Sequence, residues 1–246
     1  MRVLAIWIGL AGCSFTHGTA ADPGGGGGGG ASGPDATSVV RPACDLSDPS
    51  VQLCLDFDAP VLGLDSSLGQ HDATVTNATA MWRASEQAVM VDTSSMIRVA
   101  PTTALDLTNH ITFELWVDPL QLPATSYNGL DNTGQYSISL LASGLVQCAI
   151  GSAQATSQDT VPLGAWSHVG CTYDGTKLDI YIDGVASTCQ DLSETQIQTT
   201  SSTGTTIGAP FVGGLDNVHV LSRAVTHQEM CTHAGLSGCS GGCASD

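Results

Sequence analysis

The sequence predicts an all-β protein, a sandwich of antiparallel sheets. Three observations carry that expectation. From Cys44 onward, apolar residues recur at every second position in short runs, the runs are broken by turn-forming residues, and no helical pattern appears before Thr226. Alternation of this kind gives each strand a core side and a solvent side, and strands without crossover helices return antiparallel.

The chain opens with Met1-Arg2 and an apolar run, Val3 to Leu10, which is too short to span a bilayer and has the length of a signal-peptide core. Leu10-Ala11-Gly12-Cys13 resembles the bacterial lipobox, in which cleavage precedes a cysteine whose thiol carries diacylglycerol. That resemblance implies a leader over residues 1–12, lipidation of Cys13 and, with Ser14 following, an outer-membrane anchor. Residues 13–43 carry seven consecutive glycines, Gly24 to Gly30, and read as a flexible tether with a reach on the order of 30 Å. No strand precedes the glycines and no Gly-Lys-Ser/Thr follows, so they do not form a phosphate loop.

The strands follow in order. VQLCLDFD sets Leu53, Leu55 and Phe57 on one face and Cys54, Asp56 and Asp58 on the other. ITFELWVDP aligns Ile111, Phe113, Leu115 and Val117, with Trp116 opposite. YSISLLASGLVQCAIG is two strands joined through Ala142-Ser143-Gly144. WSHVGCTYDGTKLDIYIDG is a hairpin around Asp174-Gly175. GGLDNVHVLSRA is a further strand, and AVTHQEM a short helix capped by Thr226 with Glu229 three residues on.

Composition narrows the function. The net charge is −17 with six Lys plus Arg, which repels phosphate backbones and excludes nucleic acid as a partner class. Nine cysteines fit an oxidising compartment, and setting Cys13 aside leaves an even number for disulfides. Cys148 and Cys171 are the expected pair, because LVQCAIG and WSHVGCTY flank one loop and would lie side by side as antiparallel strands. Cys231, His233, Cys239 and Cys243 could be drawn as a zinc site; in an exported chain they read as disulfide partners and a histidine.

Six stretches in order (FD at 57–58, LDSSLGQHDATV at 64–75, ITFELWVDP at 111–119, WSHVGCTYDG at 166–175, YIDG at 181–184 and GGLDNVHVLSRAVTHQEM) resemble the laminin-G-like domains of the concanavalin A-like lectin/glucanase superfamily. The resemblance implies a jelly roll of two curved antiparallel sheets over residues 44–246, with a short Cys-rich tail. It also implies a choice of functions. Glycoside hydrolases of this fold carry Glu-x-Asp-x-Glu, and none of Glu86, Glu114, Glu194 and Glu229 is so spaced. Asp56 and Asp58 share a strand face, but nothing adjacent would tune one as an acid. The expected function is therefore non-catalytic binding of a glycan or of a surface protein, with a purely structural or assembly role as the alternative and glycoside hydrolysis as a weaker one.

Phe57, Phe113, Trp116, Trp166 and Tyr173 fall in the matched core strands. That leaves Trp82, Tyr127 and Tyr136 as surface aromatics, and ATSYNGLDNTGQY with Asn128 as the expected recognition rim, a loop between strands. Asp216 shares strand phase with Val218 and Val220 and so points toward the core. In the family resembled, the first and last strands are neighbours, which places Asp58 beside it. A structural calcium ion held by Asp58 and Asp216 is expected to neutralise that carboxylate.

Overall fold

The computed structural model describes residues 47–58, 60–192, 197 and 203–243; the leader, Cys13 and the glycine tether lie outside these residues. Sheet A contains β1 (Val51–Leu55), β3 (Thr79–Arg83), β4 (Glu86–Val91), β6 (Ile111–Pro119), β11 (Ser167–Tyr173), β12 (Lys177–Ile182), β13 (Val185–Asp191) and β15 (Gly213–Leu221). Sheet B contains β2 (Ala73–Thr76), β5 (Met96–Val99), β7 (Ser126–Asn132), β8 (Tyr136–Leu141), β9 (Leu145–Ile150), β10 (Ala153–Thr160) and β14 (Thr205–Ala209). The strand orders are β13-β12-β11-β6-β15-β4-β3 and β10-β9-β8-β7-β14-β5-β2. β15 is long enough to take β4 along its first half and β1 along its second, so the first and last strands do pair.

All described pairings are antiparallel, and the two sheets close on one core. Leu53, Leu55 and Phe57, the odd-numbered residues of β6 from Ile111 to Val117, and Val218 and Val220 enter it from sheet A. Ile97, Leu130, Ile138, Ile150 and Ile207 meet them from sheet B. The inward phase of each run therefore matches its alternation. The loop after β1 is organised by Asp65, whose carboxylate accepts from the backbone N–H groups of Cys54, Ser67 and His71 and from the Ser67 hydroxyl. His71 serves there as a turn residue through its backbone.

Cys148 and Cys171 are bonded to each other, for a different reason from the expected one. β9 belongs to sheet B and β11 to sheet A, so they are not side by side in one sheet; both cysteines point inward and the bond crosses the core. With a sequence separation of 23 between its ends, removal of the bond by Cys148→Ala with Cys171→Ala is expected to cost on the order of 3 kcal/mol, read by denaturant unfolding. A loss below about 1 kcal/mol would show that the sandwich does not depend on it.

The helix α1 (His227–His233) forms as its capping box dictates: Thr226 Oγ1 accepts from Glu229 N–H, and the Glu229 carboxylate accepts from Thr226 N–H. It lies on the outer face of sheet A, where Met230 joins Val51, Cys54, Tyr181, Leu221 and Val225 in a second apolar cluster. Met230 occupies the space that a side chain at Gly170 would need, which is why glycine stands mid-strand there. Cys231–Cys239 and Cys189–Cys243 staple the tail to the helix and to β13. The zinc drawing of these cysteines thus falls away. Among the described residues, the grouping of donors close enough to share an ion is Asp179, Cys189 and Cys243, and its two sulfurs are bonded together.

Candidate functional site

One residue out of phase builds the site. In β15, Leu215 points into the core, and regular alternation would carry Asn217 inward next; instead the register with β6 shifts between Asp216 and His219, and Asn217 adopts a positive φ of 45°. This β-bulge inserts one residue, so Val218 points inward while Asp216, opposite Trp116, faces outward. The expectation that Asp216 shares the inward phase of Val218 is corrected accordingly.

Asp216 is fully buried on that outer face because Arg83 covers it. Arg83 Nε donates to Asp216 Oδ2 at 2.6 Å and its Nη2 to Glu86 Oε2 at 2.7 Å. Asn217 N–H donates to Asp216 Oδ1 at 2.9 Å. The guanidinium lies 4.4 Å from the centre of the Trp116 ring and 5.9 Å from that of Trp166, a cation–π arrangement that β3, β6 and the approach to β11 assemble jointly. Burial pushes the Asp216 carboxyl up to about 7, although Arg83 and Asn217 pull it down.

The patch extends along β6. Asp118 shares the outward face with Trp116 and pairs Gly214. Its Oδ1 is buried without a hydrogen-bond partner, and burial raises its carboxyl. The Trp166 ring lies over Gly214 beside Met81; a Cβ at 214 would come within 2.6 Å of it, so only glycine lets the indole rest on the strand. Trp116 and Trp166 are half-buried. They are not core residues, as their place in matched strands suggested, but an outward platform; the opposite phase of Trp116 was the signal in the sequence that could have shown it.

The other expected site residues are dispersed. Trp82 is 67% exposed on the edge strand, and alternation turns it away from Met81 and Arg83. Asp58 Oδ1 accepts from Gln87 N–H at 2.8 Å, in the same hairpin. Both oxygens of Asp216 are engaged by Arg83 and Asn217, so Asp58 and Asp216 do not fit a calcium ion: the missing cation is a guanidinium. Asp56 accepts from the Ser66 hydroxyl and from Asp58 N–H.

The expected recognition rim is not a loop. Its residues form β7 and the turn into β8, and Tyr127 and Tyr136 are buried, Tyr127 against Phe211 and Tyr136 against Phe113 with its hydroxyl donating to Leu105 O. They are corrected to core residues. Asn128 faces outward on sheet B, accepting from Ser139 Oγ at 2.9 Å and lying 3.4 Å from Asp131. Its row continues through Gln147, and the next row holds Arg98, Thr206, Asp131 and Ser137. Among the described residues of these two rows, that face offers hydrogen bonds but no aromatic ring.

The fold and this outward platform define a lectin-like jelly-roll sandwich. The Laminin_G_3 family model, of the concanavalin A-like lectin/glucanases superfamily, matches residues 91–231, and the chain belongs to that family. No curated protein matches it in sequence. Among solved structures, it is similar to domain 4 of AbnA, a GH43 extracellular arabinanase from Geobacillus stearothermophilus in complex with arabinotriose, at 20% identity and a TM-score of 0.63, over 75% of this chain and 98% of that one. It is also similar to the binding domain of Paraclostridial Mosquitocidal Protein 1, at 14% identity, TM-score 0.65, over 75% and 52% of the chains. A third is a botulinum neurotoxin type C structure described in terms of cell entry dependent on two ganglioside molecules, at 12% identity, TM-score 0.59, over 76% and 51%. The chain spans about half the length of these two toxin structures. At such identities the likeness shows the fold.

Proposed function

We propose that this chain is a non-catalytic glycan-binding module, displayed on the outer membrane by a lipid on Cys13. The observation that carries the binding role is the outward patch in which two half-buried indoles adjoin Arg83, Asp118 and Asp216. A sugar presents C–H groups on one face and hydroxyls at its rim, and an indole beside carboxylates meets both. The arabinotriose complex of the arabinanase domain, nearly all of which the chain covers, supports a saccharide ligand. The ganglioside description supports it less, since the chain covers half of that toxin structure.

The test is titration of the purified full chain with a glycan array and by calorimetry. Trp166→Ala is expected to weaken binding about tenfold, the loss of one stacking contact, while Trp82→Ala, on the opposite face of its strand, leaves it unchanged. The reverse order of effects moves the site elsewhere, and turnover of any polysaccharide overturns the non-catalytic reading. Cys13→Ala is expected to release the protein into the soluble fraction; unchanged membrane association and acyl mass would remove the anchor.

A further inference from the structure

The patch has the wrong electrostatics for an acidic sugar. Its charged groups are Glu86, Asp118 and Asp216 against Arg83 alone, and Arg83 is already bonded to two of the three. The other basic side chains among the described residues lie elsewhere: Arg98 on β5 of sheet B, Lys177 at the start of β12, and Arg223 held by Asp48 and Glu229. A sialate, uronate or sulfate brought onto the Trp166 ring would face carboxylates with no free cation among the described residues of the patch to receive it, and the chain's net charge of −17 opposes its approach.

The patch also has an unmet hydrogen-bonding need. Asp118 Oδ1 is buried and without a donor, while the side chain as a whole is half-buried, so its carboxylate is open to a ligand O–H. Hydroxyls of neutral and acidic sugars can both donate there, so it is the charge of the carboxylates that separates the two.

We infer, resting on the glycan-binding reading above, that the ligand is an uncharged saccharide, one of whose hydroxyls donates to Asp118 while its ring face lies on Trp166. Asp118 is thereby the residue that sets specificity by charge. It selects against acidic glycans through repulsion and holds a neutral one through that hydrogen bond.

The experiment compares arabinotriose and cello-oligosaccharides with sialyllactose and oligogalacturonate on the purified full chain, at low and at high salt. Neutral oligosaccharides are expected to bind at least about tenfold more tightly at low salt, with the gap narrowing as salt screens the repulsion. Asp118→Asn is expected to weaken neutral binding several-fold and to narrow the gap, and Asp118→Arg to let sialyllactose bind, each variant being checked for an unchanged melting transition. Acidic glycans binding as well as neutral ones in the wild type, or a gap that survives Asp118→Arg, overturns the inference and leaves glycan binding standing. Binding of neither class overturns both.

Discussion

Glu114→Ala is expected to destabilise the domain by about 3–5 kcal/mol and to loosen α1 from the sheet, because it removes one partner from a buried charged network. Glu114 is fully buried on the outer face of β6, under the helix. His233 Nδ1 of α1 lies 2.8 Å from Oε1, His219 Nδ1 of β15 3.2 Å from Oε1, and His168 Nε2 of β11 3.5 Å from Oε2. Burial by itself would raise the Glu114 carboxyl; the His233 charge and hydrogen bonds from three imidazoles reverse this and hold it well below its ordinary value of 4.5.

The same cluster fixes how stability changes with pH. For His219, burial lowers the imidazole below its ordinary 6.5, with Glu114 opposing and His233 and His168 adding to the fall. The unfolded chain therefore binds the extra proton first, and stability declines as pH falls through that range. For His233, burial pulls down, but the charge and hydrogen bond of Glu114 with the charge of Glu229 outweigh it and Arg223, and the imidazole is raised. Its contribution is complete below 6.5 and is lost as pH rises through the folded value. Glu114's own contribution is present above 4.5 and lost as pH falls further. Calorimetry across pH is expected to show His233→Gln losing less melting temperature than the wild type as pH rises above 6.5. A flat profile in the wild type, or a loss below about 1 kcal/mol in Glu114→Ala, would show that the cluster does not hold the helix.

Arg83→Ala is the second large effect, with an expected cost of about 3 kcal/mol at neutral pH. It uncovers Trp116 and leaves the Asp216 carboxylate buried without its cation. Asp216 already has its carboxyl raised by burial, so the folded state disfavours its charge from 3.8 upward to about 7; without Arg83 that window extends to higher pH, and the variant should lose more stability as pH rises. Adding Asp216→Asn is expected to restore most of the loss, since an uncharged amide needs no counter-ion. Because Arg83 does the neutralising, millimolar calcium is expected to leave the wild-type melting temperature unchanged. A calcium-dependent rise that Asp216→Asn abolishes would restore the ion expected from the sequence.

The strands, their inward faces, the Asp174-Gly175 hairpin and the capped helix were legible in the residues alone, since each depends on side-chain alternation or on a contact within a few residues of chain. The residues quoted for the family resemblance carried the jelly roll and the pairing of the first and last strands. The site was not legible in this way. The bulge at Asn217 turns Asp216 outward, and no composition marks it. Arg83 meets Asp216 across 133 positions of sequence, so the cation that lies against this carboxylate could not be seen from either residue's neighbours. Cys148 and Cys171 join because two sheets face each other, a relation that strand order within a hairpin does not contain. Tyr127 and Tyr136 were expected outside because polar, turn-rich sequence surrounds them; which way each ring points was settled by the strand register of β7 and β8. Local physics writes the elements into the chain, whereas a site made of residues far apart exists only once the sheets have closed.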